Sequence, residues 1–490
     1  MSSRRVLAVG VAVGLLAPVA SLSPASATEA AAPKPLTASV GAAVAGERVT
    51  FTAKRPTAKK FRTLKATQQR KATIVLQRRD GATWRAVGRV KLGAKKKVTF
   101  ASAVPTSAKG SVRYRVRAVL GKKTYEAGAL TLKVVTQQLT TRPSSSDADV
   151  ATTYASTLTP VRAGRKLTVE RYVDGTWSTV AETSAKGASA ALTVAAARFP
   201  AWYRVRAAAH NGIASVATAP VRTTLNRRPV EIAHRAGAAL GPEQTLGAME
   251  ASLTAGATAM EVDVQLTKDA VPVIVHDQTF ARTTNVATVF PGREDDPVGT
   301  FTWAEVQQLD AGSWAGPQWA GEGIPSLDEL LTALGGRAHL VLEVKFWPFN
   351  QGTPEERAAL RDVLDAELVA GRLGELAGAG KLTVSSFNHE FLQPFAEAHP
   401  DVPVGALTFF PPSATQVAQW ATWAEEIHGQ FALTTWQDTT AARAAGLTTS
   451  VWTLATPDQY RVALASGAEA LITDNPGLLA SVLEPPAPTS

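Results

Sequence analysis

From Val230 onward, short apolar runs and helical stretches alternate along the chain, and that alternation limits the fold more than any other feature. Candidate strands lie at residues 230–233, 260–266, 340–344, 382–385, 404–407, 426–429, 450–454 and 471–473. Eight strands with helices between them predict an α/β fold, a (β/α)8 barrel over residues 230–483. A ninth apolar run, 271–275, follows Leu266 too closely to be a parallel neighbour. It must return antiparallel, turning at Lys268, Asp269 and Ala270. With Thr267 facing Val271, paired numbers sum to 538, and His276 comes back beside Val262 and Asp263.

Upstream the pattern changes to short strands of period two, parted by Gly, Pro and Lys-rich turns. Residues 74–76, 112–116 and 130–134 read as strands. The pattern occurs twice. Asp80-Gly81-Ala82-Thr83-Trp84 precedes Tyr114-Arg115-Val116-Arg117-Ala118, and Asp174-Gly175-Thr176-Trp177 precedes Tyr203-Arg204-Val205-Arg206-Ala207. Asp-Gly predicts a tight hairpin turn, and each Trp is expected to plug a core. Two all-β sandwiches follow, at 28–135 and 136–225, in a multidomain chain. They resemble bacterial immunoglobulin-like modules. Residues 226–229 read as a linker and the Pro-rich 484–490 as a disordered tail.

Residues 1–27 read as a signal peptide. Arg4 and Arg5 precede an apolar run, and Ala25-Ser26-Ala27 is a small-residue cleavage site, so the mature chain is expected to start at Thr28. Ser3-Arg4-Arg5 also loosely fits a twin-arginine signal. The expectation is a secreted protein with no transmembrane segment. The chain has no cysteine, which excludes disulfides, thiolate zinc sites and a cysteine nucleophile. Its net charge of +10 is split: residues 28–227 carry about 36 Lys and Arg against about 9 Asp and Glu, and the remainder is acidic. The basic modules are expected to meet anionic wall polymers or lipid head groups, not nucleic acid, because the aromatic-basic interleaving is missing.

Glu261 and Asp263 are two apart on a strand, so both face one side. Two carboxylates there repel unless a cation lies between them, and hard divalent ions such as Ca2+ or Mg2+ prefer oxygen ligands. Glu343 ends another strand and completes a candidate metal triad. His234 and His276 each close a strand and are the candidate acid–base pair for a phosphodiester, which needs one proton removed and another delivered. Arg235 and Lys345 are candidates for holding the phosphate oxygens.

These residues resemble the glycerophosphodiester phosphodiesterase family of the phosphatidylinositol-phospholipase-C-like barrel superfamily. His234-Arg235 is similar to its HRG start, Pro242-Glu243-Gln244-Thr245 to its PENT motif, and residues 261–269 to its E-x-D-V-x-x-T-x-D segment. His276-Asp277 and Glu343-Val344-Lys345 match its HD and E-x-K segments, and Ser386-Phe387, Val451-Trp452-Thr453 and Thr473-Asp474 match later landmarks. The resemblance implies a divalent metal, Ca2+ or Mg2+, on Glu261, Asp263 and Glu343, and His234 with His276 as acid and base. It implies hydrolysis of glycerophosphodiesters to glycerol 3-phosphate and an alcohol. Alternatives are a phospholipase-D-like lyase acting on lysolipids or sphingolipids, and a non-catalytic envelope-binding protein. Ala236 and Ala270 stand where the family has Gly, Gln244 where it has Asn, and Ala455 where an Asn commonly follows Trp-Thr-x; Gln244 and Ala455 leave the fine shape of the alcohol pocket open. Glu243 is read as a partner holding Arg235, with metal ligation as the other option; Trp452 as a wall of the substrate pocket or a buried barrel aromatic.

Overall fold

The computed structural model of this chain describes residues 35–347 and 351–489. The expected leader, 1–27, lies outside the described residues. The chain divides into two compact units, Met1–Val135 and Thr136–Ser490.

In the first unit, strands Leu36–Ala38, Arg48–Lys54 and Lys97–Ala103 form one sheet. Ala42–Ala43, Lys123–Val134, Ser111–Leu120, Thr73–Asp80 and Thr83–Lys91 form another. Val49, Phe51 and Ala53 point inward while Arg48, Thr50 and Lys54 point out, so one sheet face is apolar. Phe51 meets Tyr114 of the other sheet with ring centroids 4.4 Å apart, and both sheets share one apolar core. Two short helices, Lys59–Arg62 and Ala66–Arg70, interrupt the strands; buried Phe61 anchors the first.

The second unit begins with the same plan. Ser189–Val194, Thr152–Thr159 and Gln138–Pro143 make one sheet; Thr176–Ser184, Lys166–Val173 and Trp202–Ala207 lead the other. Tyr154, Val169, Leu192 and Tyr203 fill the core. The repeated Trp residues are not core plugs. Trp84 and Trp177 are half-buried on the outer sheet faces, and each carries the repeat's own arginine: Arg115 lies 4.2 Å over Trp84 and Arg204 lies 4.0 Å over Trp177. Alternation explains the outcome. The buried member of each Tyr-Arg pair is Tyr114 or Tyr203, which puts the arginine, and the Trp beside it, on the opposite face. The hairpins differ too. Asp80 pairs with Thr83, leaving Gly81-Ala82 as the turn, whereas Val173 pairs with Thr176, leaving Asp174-Gly175, both at positive φ.

The barrel closes as eight parallel strands: Val230–Ala233, Ala259–Leu266, His339–Val344, Leu382–Ser386, Val404–Thr408, Glu426–Gln430, Thr448–Leu454 and Ala470–Thr473. The last pairs with the first, and the first with the second. Pro272–Ile274 adds to the second strand antiparallel, with Val264 opposite Ile274 and Leu266 opposite Pro272. Both pairs obey the expected register, and Val275 donates its N–H to Asp263 O at 3.0 Å. The turn holds Ala270 at φ 61°, where a Cβ is strained and glycine is not. Ala270 is exposed, so Ala270→Gly is expected to raise unfolding stability by about 0.5–1 kcal/mol with turnover unchanged. Urea melts and a diesterase assay check both halves.

Within this unit the β-region is seated on the barrel. Arg461 of helix Pro457–Ser466 makes a two-pronged bond to Asp174, both contacts at 2.6 Å, and Arg198 stacks 4.1 Å over Trp436. Phe199 and Leu225 pack on the apolar cluster beneath that helix. In the expected linker, Arg227 binds Asp149 at 3.1 Å and the Ala468 carbonyl at 3.2 Å. The end of the chain, 484–489, has no regular element, and Pro485 O accepts from Trp202 Nε1 at 3.1 Å. No described helix is long and apolar enough to cross a membrane.

Candidate active site

Asp263 and Glu343 are register partners on adjacent parallel strands, and Glu261 lies two residues before Asp263 on the same face. One oxygen from each lies within 4.8 Å of the others, and all three side chains are buried. Burial, Asp263 and Glu343 push the Glu261 carboxyl well above its usual range; burial also raises Glu343. Asp263 is likewise buried, but Lys345 and the neighbouring histidines and arginine hold it below its usual range. The Lys345 ammonium lies 3.1 Å from Asp263 Oδ1 and 2.6 Å from Glu343 Oε1. Glu261 Oε1 is buried with no hydrogen-bond partner. Asp263 Oδ1 is buried without a hydrogen-bond partner and is ion-paired to that ammonium. An all-oxygen donor set with an orphaned carboxylate oxygen fits a hard divalent cation.

Each imidazole is tied by Nδ1 to an aspartate. His234 Nδ1 meets Asp474 Oδ1 at 2.6 Å, and His276 Nδ1 meets Asp277 Oδ1 at 2.7 Å. An acceptor there favours the Nδ1–H form and frees Nε2 for proton transfer. His234 Nε2 points toward the triad, 4.0 Å from Glu261 Oε2. Burial lowers the His234 pKa, with Asp474 opposing that shift.

The turn after the first strand positions Arg235. Arg235, Ala236 and Gly237 all have positive φ, which aims Arg235 N–H at Glu261 Oε2, 2.9 Å away. A Cβ on Gly237 would sit 1.9 Å from Ser252 Oγ, so only glycine fits there. The Arg235 guanidinium binds Glu243 Oε1 at 2.9 Å. Gln244, which stands where the family has Asn, is set on the metal triad. It is buried, donates Nε2 to Asp263 Oδ2 and accepts from Asp263 N at 3.3 Å, because its positive φ turns the side chain inward.

Arg282 was not singled out from sequence. Its guanidinium grips Glu243 at 2.7 and 2.8 Å and Asp277 at 2.6 and 3.0 Å. One continuous chain of contacts thus runs from His276 through Asp277, Arg282 and Glu243 to Arg235. The only sequence signal was an arginine five residues after Asp277; its partner Glu243 lies 39 residues away. Arg282→Ala is expected to lower kcat/KM about 10–100-fold, and Arg282→Lys to restore only part, since an ammonium lacks the planar fork. Steady-state kinetics of the two variants check this.

His234, Arg235, His276, Glu261, Glu343 and Lys345 line one cavity of about 410 Å3. Its apolar lining comes from Trp347, Phe387, Leu407, Phe409 and Trp452. Phe387 stacks on Phe409 at 4.5 Å, and Trp452 meets both edge-on at 5.6 Å. Trp452, half-buried, donates Nε1 to His428 O at 3.0 Å. His428 also lines the cavity, and its ring bonds Glu426 at 2.9 Å. All nine residues expected at the site except Glu243 line this cavity or, for Asp263, sit directly behind it in the triad; Glu243 is set on Arg235.

A closed parallel barrel whose strand ends present carboxylates, paired imidazoles and basic groups to one cavity belongs to the barrel hydrolases of phosphate esters. The particular group follows from comparison: the Glycerophosphoryl diester phosphodiesterase family matches residues 234–478, and the chain belongs to that family. The Bacillus subtilis (strain 168) protein YhdW, a glycerophosphodiester phosphodiesterase by name, is 30% identical over 251 residues, 51% of this chain and 95% of that protein. A glycerophosphodiester phosphodiesterase of Caldanaerobacter subterraneus subsp. tengcongensis is 33% identical over 177 residues, 36% of this chain and 65% of that one. A phosphodiesterase of Oleispira antarctica, solved in complex with the product sn-glycerol-3-phosphate, superposes with a TM-score of 0.44 at 26% identity. That match covers 52% of this chain and 97% of the other.

Proposed function

We propose that the chain is an exported, divalent-metal-dependent enzyme that hydrolyses glycerophosphodiesters to glycerol 3-phosphate and an alcohol. The observation that carries this reading is the joining, in one cavity, of the acidic triad with two imidazoles each held by an aspartate. Glu261, Asp263 and Glu343 would hold the cation, which when bound supplies Lewis-acid polarisation of the phosphoryl oxygens. One of His234 and His276 takes at Nε2 the proton of the attacking water, or of the neighbouring glycerol hydroxyl whose cyclic phosphate a water then opens; the other delivers a proton to the leaving alcohol oxygen. Arg235 offers its guanidinium to the non-bridging oxygens, steadied by Glu243. Lys345 offsets carboxylate charge and reaches the cavity wall, where it can serve the phosphate.

The deciding experiment is release of glycerol 3-phosphate from a panel of glycerophosphodiesters, with and without chelator. Chelator should abolish release and Ca2+ or Mg2+ should restore it; release indifferent to chelator removes the metal from the reading. A second reading draws on the apolar lining and on Phe409, which belongs to it and is 54% exposed, with Phe410, 74% exposed, next in the chain. These features suit a substrate with an acyl chain, as the lyase alternative requires. The same panel with lysolipids decides: cyclic phosphate from lysolipid favours the lyase.

The two β-regions are proposed to be immunoglobulin-like modules, supported by their paired sheets and internal repeat. Secretion is proposed from the leader pattern; N-terminal sequencing of protein from the culture medium should begin at Thr28.

A further inference from the structure

The positive charge of the N-terminal region is concentrated in the first unit. Between Pro35 and Val135 there are 24 Lys and Arg against three acids, Glu47, Asp80 and Glu126. Three carboxylates cannot neutralise so many cations, and each already has a partner. Asp80 is held by Arg78 at 2.8 and 3.0 Å, Glu126 by Arg117 at 2.6 Å, and Glu47 accepts from Val44 N at 2.9 Å. Such self-repulsion destabilises a small fold and calls for a counter-charge.

The charge is also shaped. An open cavity of about 540 Å3 lies between the end of the Thr73–Asp80 hairpin and the turn before Ser111–Leu120. Arg78, Arg79, Lys109 and Arg113 line it, and Asp80 is its single acid. Arg113, Arg115 and Arg117 then follow at every second position along one strand face. Same-face residues on a strand are about 6.6 Å apart, comparable to phosphates joined through a three-carbon alcohol. We propose that this cavity and the arginine row leading from it bind a linear phosphodiester polymer, its phosphates meeting Arg79, Lys109, Arg113 and Arg115 in turn, with Arg117, held by Glu126, closing the row.

Two observations favour a polymer over a lipid surface. The site is concave, and among the described residues none of the exposed large apolar side chains falls in this unit, so nothing is offered to a bilayer. Trp84 on the same sheet is covered by Arg115 and not free to stack on a base, which disfavours nucleic acid. The site needs nothing from the barrel's chemistry, so it stands or falls apart from the catalytic reading.

The test uses the full chain and a fluorescent glycerol-phosphate oligomer. Arg79, Lys109 and Arg113 are exposed, so the triple substitution R79Q/K109Q/R113Q should leave folding and small-diester turnover intact. It should weaken oligomer binding at least tenfold and flatten the salt dependence by about 2 logarithmic units per decade of salt. The control K95Q/K96Q/K97Q removes as much charge from another turn of the same unit and should weaken binding no more than threefold. Equal losses in both variants mean diffuse charge and overturn the site, as does no loss in the first. Tighter binding to anionic vesicles, or to single-stranded DNA of equal charge, overturns the choice of ligand.

Discussion

Glu261→Gln is expected to leave about a thousandth of the diesterase activity while making the metal-free protein more stable. The two effects share one cause. Glu261 is buried, its Oε1 has no hydrogen-bond partner, and Asp263 and Glu343 stand beside it. Without a cation its charge is unsupported, so an amide of the same shape relieves about 1 kcal/mol or more. The amide oxygen can still accept from Arg235 N, which keeps the left-handed turn in place. Activity should fall because a Lewis-acid contribution of several kcal/mol, about 4, equals roughly a thousandfold in rate. Thermal melts separate this from simple damage. Saturating Ca2+ or Mg2+ at a hundred times Kd should add about 2.7 kcal/mol to the parent and nothing to the variant. A variant melting below the parent in chelator, or keeping its turnover, would show that Glu261 is structural.

Much of the barrel was readable because its constraints are local. Chain length between runs 260–266 and 271–275 left only an antiparallel return, and side-chain period two then placed Glu261 and Asp263 on one face. Glu426–Gln430, the weakest strand signal, still forms, because its neighbours on both sides leave one gap in the closed sheet. What escaped the sequence depends on groups far apart in the chain. Asp474 stood out only as a motif residue, and its bond to His234 spans 240 positions. Arg282 needed Glu243 to be meaningful. The bond of Gln244 to Asp263 was not readable, because a positive φ at a non-glycine residue is not foreseeable from residue type, and that φ decides where its amide goes. Trp84 and Trp177 were misread for another reason: hydrophobicity argues for burial, while strand parity, counted from Tyr114 and Tyr203, argues for the outer face, and parity prevails when an arginine is there to cover the ring.

The second large effect concerns the two imidazoles. His234→Ala and His276→Ala are each expected to lower kcat about 10²–10⁴-fold, the usual contribution of a positioned proton-transfer group. KM should move little, since Arg235 and Lys345 remain to meet the phosphate. The double variant should be barely slower than the worse single one. Proton removal and proton delivery complete one displacement, and losing either leaves the other without a partner step. The aspartates give an intermediate measure. Asp277→Asn keeps the shape but offers His276 Nδ1 a weaker acceptor, and it also loosens Arg282, so its loss should lie between that of Arg282→Ala and that of His276→Ala. Substrates with better leaving alcohols should discriminate the two histidines. The residue that delivers the proton matters less as the leaving group needs it less, so the variant whose rate recovers with an activated aryl diester identifies the acid. If both recover equally, or neither does, His234 and His276 do not divide the two proton transfers between them, and the arrangement around the triad must serve to bind the ester instead.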